Sequence, residues 1–320
     1  MRMPRRSTAL AALVSVVSVA AVVKWAAGQE APHLPRTDMG WVWLALALVV
    51  TGVALVCRAW RWHWILRAAG IVHRRRDAIG LTVVGYMGNN VLPARGGELL
   101  KVGLLGTRTP SRHREVFGTV ITERVLDAAV LVALFATLTW AGVAGSASTS
   151  RTAAIAAGAL AAVCAAAGVY IALRRRGLFD RFAATIRPVA GASRQLATRR
   201  GVPLAAWSVL IWSLDGTTVL LAARSVGVDL KPLSALAVVV LGSLAAAIPA
   251  APGYVGTFDA AFVLGLHAAG VHGGDSVSVL LMSRFVLFAP PTLAGAATLV
   301  FGYGGLRMRR RKLGRAGAPA

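Results

Sequence analysis

The sequence Gly85-Tyr-Met-Gly-Asn-Asn-Val-Leu-Pro-Ala-Arg-Gly-Gly-Glu-Leu-Leu-Lys101 interrupts an apolar segment of membrane length. Its helix-breaking residues are Pro93, Gly96 and Gly97, and irregular backbone at membrane depth is tolerated only where protein buries it or where it lines a wet cavity. Ionised groups in a bilayer are penalised by several kcal/mol, so they usually face a protein-lined cavity and mark a function. A broken helix with buried charge therefore predicts an intramembrane binding site for a polar or ionic group. The polar residues of this stretch are Asn89, Asn90, Arg95, Glu98 and Lys101.

The composition is that of an integral membrane protein. Of 320 residues, 57% are hydrophobic and 15% are charged, and the mean hydropathy is +0.66. Soluble domains carry roughly 25% charged residues. We expect one polytopic membrane domain with no appended soluble catalytic domain. The first apolar run predicts a membrane helix held at the cytoplasm by Arg5 and Arg6, and cleavage of residues 1–27 as a signal peptide stays an open alternative.

The net charge of +23 is distributed in a way that argues against nucleic-acid binding. Lys and Arg concentrate in short segments between apolar runs, which is typical of positive-inside topology and of contact with anionic lipid. The cysteines, Cys57 and Cys164, and the six histidines show no disulfide or metal-ligand spacing. We therefore expect an anionic membrane lipid as partner, and no nucleic acid, metal or cofactor. The basic segments are 1–6, 58–76, 106–115, 174–203 and the tail 304–320.

The apolar segments predict an all-α polytopic membrane protein with about six full transmembrane helices plus two broken or re-entrant hairpins. A span needs ~20 mostly apolar residues. The broken regions are 77–106 and 233–272, each interrupted near its middle by Pro and Gly. The predicted spans are 7–27, 41–57 (extendable into the aromatic stretch Trp60, Trp62 and Trp64), 116–141, 152–173, 204–225 and 276–303.

The basic segments predict the topology of the broken regions. Because 58–76 and 106–115 are both basic, region 77–106 must start and end at the cytoplasmic face, and its short second arm favours a re-entrant hairpin. By the same parity, 233–272 starts and ends outside, either as a re-entrant hairpin or as two short spans. The protein is expected to lie in the cytoplasmic (inner) membrane, as a multi-pass protein. Both of its termini are expected in the cytoplasm. Hairpins of opposite orientation are typical of an inverted repeat, as in many secondary transporters.

Both broken regions contain Pro, then Gly, then an acid. In the first region, Arg95, Glu98 and Lys101 fall at i, i+3 and i+6, which places Glu98 beside both bases on a helix. The free N–H groups at the start of that helix suit phosphate or carboxylate. The alternative is that Arg95 and Glu98 only staple the hairpin. The helix-breaking residues of the second region are Pro249, Pro252, Gly253 and Gly256.

Further ionisable groups lie within the predicted spans. Glu123 and Asp127 are one turn apart beside Arg124, which predicts a charge network with Arg95 and Lys101, a proton-titrating carboxylate, or a structural salt bridge. Asp259 falls in the first turn of a new helix, where the helix dipole favours it.

Two of these buried charges lack an obvious local partner in the sequence. Arg284 would be neutralised by Asp259 or by an anionic ligand. Asp215 either titrates or hydrogen-bonds across helices. The tryptophans near segment ends predict an interface belt: Trp41, Trp43, Trp60, Trp62 and Trp64.

Three motifs resemble the lysylphosphatidylglycerol synthase transmembrane region, also called the flippase-like domain family. They are Asn89-Asn90-Val-Leu-Pro93-Ala-Arg95-Gly-Gly-Glu98, then Glu123-Arg124-Val-Leu-Asp127, then Pro249-Ala-Ala-Pro252-Gly253-Tyr-Val-Gly256-Thr-Phe. The resemblance covers about residues 40–305. It implies a polytopic domain with re-entrant elements that moves a lipid between leaflets. Two-domain members carry a cytoplasmic aminoacyl transferase domain that we do not find here, so phosphatidylglycerol lysyltransferase activity is not expected.

The leading hypothesis is a lipid translocase that moves an anionic phospholipid or a polyprenyl-phosphate-type lipid across the membrane. The alternatives are a membrane transferase that acts on a lipid, and a non-transporting subunit that partners a separate lipid-modifying enzyme. No catalytic residue is assigned. The expected phosphate-binding residues are Arg95, Lys101, Arg124, Arg284, Asn89 and Asn90. The expected charge-balancing or proton-coupling residues are Glu98, Glu123, Asp127 and Asp259.

Overall fold

The computed structural model describes residues 31–92, 96–109, 113–142, 201–246 and 252–304, together with Lys24 and Gly28. Regular structure in these ranges is entirely helical, which confirms the predicted all-α membrane class. The α-helices in chain order are α1 (Asp38–Ala68), α2 (Arg75–Val91), α3 (Gly96–Gly106), α4 (His113–Trp140), α5 (Gly201–Ser225), α6 (Pro232–Ala245), α7 (Thr257–Ala268) and α8 (Gly273–Ala297). A 3-10 turn, Pro252–Tyr254, precedes α7, and a π turn, Thr298–Gly302, continues α8.

Within the described ranges, three helices are long and apolar enough to cross a membrane: α1, α5, and α8 with its π turn. The helices α6 and α7 are apolar but shorter. The predicted span 152–173 lies outside the described residues, as does 7–27 apart from Lys24. The same holds for Pro93, Arg95, Pro249 and residues 305–320.

Helix α1 continues well beyond the predicted span 41–57. It begins where the Thr37 hydroxyl accepts a hydrogen bond from the Gly40 N–H at 3.1 Å, and it ends before Gly70, whose φ of 73° is left-handed. Arg58 and Arg61 are therefore buried helical residues. Their assignment to a basic cytoplasmic loop is wrong, because counting charges cannot distinguish a loop arginine from a buried arginine that is paired with carboxylates.

Buried apolar side chains form two main clusters in the described part. One joins the first half of α1 to α5, α6, α7 and α8, and it includes Val219 and Phe262. The other joins the second half of α1 to α2, α3 and the start of α4, and it includes Trp62 and Leu81. Trp62 has no exposed surface, and its indole N–H donates to the Thr119 hydroxyl at 3.1 Å. Its placement in an interface belt is therefore wrong.

Glycines allow α2 and α3 to pack as a tight antiparallel pair. A Cβ on Gly88 would lie 2.5 Å from the Gly97 Cα, and a Cβ on Gly97 would overlap the backbone oxygen of Gly85. The helices α6 and α7 also pack closely and antiparallel: a Cβ on Gly242 would lie 2.9 Å from the Phe258 ring, and a Cβ on Gly265 would lie 3.0 Å from the Val238 Cα. Small residues at such crossings let helix backbones approach closely, which is the main source of helix association in lipid.

Replacement of Gly97 by Ala should destabilise the protein by about 1–3 kcal/mol, because the new methyl group would overlap backbone atoms of α2. Gly103→Ala is the matched control on α3, since a Cβ there meets no atom within 4 Å. Thermal unfolding of both variants in detergent should show a lower melting temperature for Gly97→Ala and an unchanged or slightly higher one for Gly103→Ala. Equal melting temperatures would contradict the tight crossing.

Candidate functional site

A cavity of about 360 Å³ opens between the helices next to both broken regions. Its lining comes from α1, α2, α4, α5, α6, α7 and α8 and from the 3-10 turn. Much of the wall is apolar, which suits part of an amphipathic ligand. The aromatic residues of the wall are Tyr86, Trp212, Tyr254, Phe258 and Phe288.

The polar part of the cavity wall contains two arginines, two aspartates and two asparagines. They are Arg58, Arg124, Asp127, Asp215, Asn89 and Asn90. Four of these six residues were selected from the sequence, and Arg58 and Asp215 were not placed in the site. Ion pairs at membrane depth are expected only around a protected polar space. The lining therefore combines paired charges with apolar surface, which is an amphipathic wall.

Arg58 of α1 and Asp215 of α5 form an ion pair on this wall. The Nη2 group of Arg58 donates to the Asp215 carboxylate. The guanidinium carbon lies 5.6 Å from the centre of the Tyr86 ring and 5.7 Å from that of Trp212, so it makes cation–π contacts with both rings. Asp215 thus hydrogen-bonds across helices, which is one of the two roles that the sequence left open.

Arg61 lies one turn further along α1 and joins it to α4. Its Nη1 donates to Asp127 at 2.5 Å and to the Ser208 hydroxyl at 2.6 Å. Its Nη2 donates to the other Asp127 oxygen at 3.0 Å and to Glu123 at 3.2 Å. A guanidinium with this fork geometry binds a carboxylate through both oxygens, so Arg61 fixes the orientation of Asp127 at the cavity wall.

Lys101 of α3 pairs with Glu123, one of the two carboxylates that Arg61 contacts. Its ammonium group donates to Glu123 at 3.0 Å and lies 3.7 Å from the centre of the Trp62 ring. The nearest acid in the sequence, Glu98, is instead 3.0 Å from the Nε of Arg124. The expected contact of Glu98 with Lys101 is therefore replaced by two contacts between α3 and α4.

Arg124 is the most accessible of the cavity cations, with 34% of its side chain exposed. Besides Glu98, it lies 3.7 Å from Asp127. Asp127 is thus shared between Arg124 at the cavity and the buried Arg61. A shared carboxylate can keep one partner when the other turns to a ligand, because Arg61 holds both of its oxygens.

The two asparagines lie at the end of α2, just before the first break. The side-chain amide of Asn90 donates to the Thr292 hydroxyl at 2.8 Å and to the Phe288 carbonyl at 3.3 Å, which ties α2 to α8. The side-chain oxygen of Asn89 is buried and has no hydrogen-bond partner in the described part of the chain. Buried polar atoms are nearly always paired, so this oxygen needs explanation.

The second broken region is held by Asp259 and Arg284. Asp259 accepts the Gly256 N–H at 2.9 Å and also pairs with the Nε of Arg284. The Nη1 of Arg284 donates to the Gly253 carbonyl at 3.0 Å. The backbone here is left-handed at Gly253, Tyr254 and Gly256, with φ of 67°, 57° and 92°. Tyr254 is the costly member of this set, because its Cβ disfavours that conformation.

The structure brings most of the candidate residues to this region and separates their roles. Asn89, Asn90, Arg124 and Asp127 line the cavity, whereas Glu98, Lys101 and Glu123 stand behind its wall. Asp259 and Arg284 fix the segment that carries Tyr254. Arg95, the first residue expected to bind phosphate, lies outside the described residues.

Sequence reasoning missed Arg58, Arg61, Tyr86 and Trp212. A signal was present, since Arg58 and Arg61 are three residues apart and follow directly on a long apolar run of the same helix. Around the cavity the described charges balance, with the cations Arg58, Arg61, Lys101 and Arg124 facing the carboxylates Glu98, Glu123, Asp127 and Asp215. In the ranges that the structure covers, no three His, Cys, Asp or Glu side chains gather to hold a metal.

Replacement of Arg61 by Met should destabilise the protein by about 3–5 kcal/mol, because it leaves the buried carboxylates Asp127 and Glu123 short of a cation. Arg67→Met, on the exposed surface of the same helix, should change stability by less than about 0.5 kcal/mol. Melting temperatures in detergent would measure both effects. Similar values for the two variants would mean that the buried network does not hold α1 to α4.

Comparison with known proteins gives a consistent family assignment. The family model described as "Lysylphosphatidylglycerol synthase TM region" matches residues 9–295. A protein named "UPF0104 membrane protein" from Methanothermobacter thermautotrophicus is 25% identical over 92% of this chain and 95% of its own length. A protein named "Glycosyltransferase AglD" from Haloferax volcanii is 26% identical over 93% of this chain, and the match spans 55% of that relative's length.

Proposed function

Because the chain belongs to the lysylphosphatidylglycerol synthase transmembrane-region family, we propose that it is a lipid translocase of the cytoplasmic membrane. It moves a lipid with an anionic phosphate head, such as an anionic phospholipid or a polyprenyl-phosphate-type lipid. The head group occupies the cavity, and the apolar chain lies along the lipid-facing helices. We also propose that both termini lie in the cytoplasm, because the basic segments follow the positive-inside rule.

The observation that supports this proposal is a cavity with both apolar and charged walls, lined from both broken regions. Asn89 and Asn90 precede the first break, and Tyr254 and Phe258 flank the second. Discontinuous helices that meet at a buried site are typical of secondary transporters, whose substrates bind between the repeats. The position of the cavity therefore supports a substrate that enters the membrane domain, in preference to one that is modified at its surface.

The energetic reason for such a cavity is the polarity of the head group. An ionised group at the bilayer centre is penalised by several kcal/mol, and a wall of fixed charges replaces much of its lost hydration. Arg124 is suited to this role because it is accessible and is held by two carboxylates, Glu98 and Asp127. These acids balance its charge when no head group is present.

The remaining candidates act from outside the cavity wall. Lys101 and Glu123 form an ion pair outside the cavity lining, near Asp127. Arg284 and Asp259 form an ion pair that holds the segment with Tyr254 in place. We include Arg95 as a phosphate ligand at the first break on the strength of its sequence position alone.

Translocation can be measured with the full chain in vesicles that contain fluorescently labelled phosphatidylglycerol. A membrane-impermeant quencher reports how fast the label exchanges between leaflets. Arg124→Gln should slow exchange roughly tenfold or more, because a charge-assisted contact is worth about 1.5–3 kcal/mol. Arg114→Gln, an exposed arginine on the same helix, should leave the rate unchanged.

A wild-type rate no faster than that of protein-free vesicles would refute translocation of this lipid. Equal rates for Arg124→Gln and wild type would remove Arg124 from the pathway. Size-exclusion profiles of the two variants control for folding.

One observation favours a second candidate, a membrane domain that works with a glycosyl or aminoacyl transfer enzyme. The relative named as a glycosyltransferase is longer than this chain, which aligns with 55% of it. Incubation of the purified chain with lipid and a labelled sugar donor tests for intrinsic transfer. Labelled lipid from the chain alone would favour an enzyme, and transfer only with a co-purified protein would favour a subunit.

A further inference from the structure

The cavity contains a second arginine, Arg58, that the proposed function has not used. It is 9% exposed as a residue, so its guanidinium lies away from bulk solvent while lining the cavity. Its recorded hydrogen bond within the described residues is the one from Nη2 to Asp215. Arginine carries five N–H donors, so most of those of Arg58 donate to no residue that the structure describes.

The unused donors of Arg58 remain accessible from the cavity. Its Nε and Nη1 make no hydrogen bond to a described residue. Neither atom is fully buried. By contrast, the Nε of Arg61 and the Nη2 of Arg284 are fully buried and have no hydrogen-bond partner among the described residues. Arg58 can therefore offer free N–H groups to a ligand in the cavity. The buried N–H groups of Arg61 and Arg284 cannot reach one.

The position of Arg58 is fixed before any ligand binds. Asp215 holds one end of the guanidinium, and the rings of Tyr86 and Trp212 contact it at 5.6 Å and 5.7 Å. A guanidinium that is already immobilised loses little conformational entropy when it binds an anion. Its planar fork also matches two oxygens of a phosphate.

The charge of the wall restricts which phosphate can bind. Among the described lining residues, Arg58 and Arg124 face Asp127 and Asp215, so the empty cavity is neutral. A ligand with one negative charge leaves a net charge of −1 in this cavity, and a dianion leaves −2. Because each uncompensated buried charge is strongly unfavourable, the wall favours a phosphate with one negative charge over a phosphate with two.

We propose that Arg58 anchors the phosphate of the transported lipid, and that this phosphate is a diester with a single negative charge. This inference rests on the proposed translocase function and narrows its substrate class. A phosphodiester head occurs both in glycerophospholipids and in polyprenyl phosphosugars. Phosphomonoesters, such as phosphatidic acid, are disfavoured.

The test is lipid retention by the full chain purified in detergent, measured by native mass spectrometry. The decisive variant is the double substitution Arg58→Gln with Asp215→Asn, which removes the anchor and leaves no unpaired buried charge. It should retain roughly tenfold to a hundredfold less phosphodiester lipid than wild type. Arg58→Lys keeps the charge and the partner but lacks the fork, and it should fall between the two.

The matched control is Arg224→Gln. Arg224 lies on α5 and contacts an aromatic ring, that of Trp43, at 5.4 Å, but it does not line the cavity. This variant should retain lipid as wild type does. The double variant should also unfold at a temperature close to that of wild type, because a neutral pair replaces an ion pair.

Two results would overturn the inference. One is a folded double variant, or a folded Arg58→Lys, that retains as much lipid as wild type. The other is stronger retention of added phosphatidic acid than of added phosphatidylglycerol. Fragmentation of the retained lipid identifies its source, since a glycerophospholipid and a polyprenyl phosphosugar give different products and both support the inference.

The lipid-retention and lipid-exchange measurements test the anchor and the translocase function independently. Wild type that retains a phosphodiester lipid through Arg58 but does not exchange it between leaflets would refute the translocase while the anchor stands. Exchange in wild type that persists in the folded double variant would refute the anchor while the translocase stands.

Discussion

The buried guanidinium of Arg61 must be neutralised, and this requirement organises the charged half of the protein. It lies on α1 and donates to both oxygens of Asp127 and to Glu123 on α4, while Lys101 of α3 completes the pairing of Glu123. Between helices in lipid the hydrophobic effect gives little attraction, so polar contacts and close packing must hold them together. An unpaired charge here would be strongly destabilising. The positions of these three helices are therefore coupled through their ion pairs.

The same pairing shapes the cavity. Because Asp127 is held from behind by Arg61, it can face Arg124 at the cavity wall without moving. Elsewhere on the wall, Asp215 holds Arg58, which also contacts the rings of Tyr86 and Trp212. The wall thus combines fixed charges of both signs with apolar surface. Preorganised polar groups of this kind bind a charged ligand with little rearrangement, which is consistent with the proposed passage of a lipid head group.

The two broken regions solve the same problem by different means. At the first, Gly88 and Gly97 let α2 and α3 approach until their backbones touch. At the second, Arg284 and Asp259 secure a left-handed turn that places Tyr254 on the cavity wall. At the second region, the charged side chains of Arg284 and Asp259 compensate backbone that has left the helix, as irregular backbone in a membrane domain requires.

The sequence by itself determined the helical membrane class, the broken regions and the family, because hydropathy, Pro and Gly positions and short motifs are local properties of the chain. It also selected Asn89, Asn90, Arg124 and Asp127, since polar groups in apolar segments are conspicuous. Only the tertiary structure decided which charges pair. Glu98 contacts Arg124 rather than its sequence neighbour Lys101, and Arg58 belongs to the cavity rather than to a basic loop. Partners 26 to 157 residues apart meet through helix packing, which local patterns do not encode.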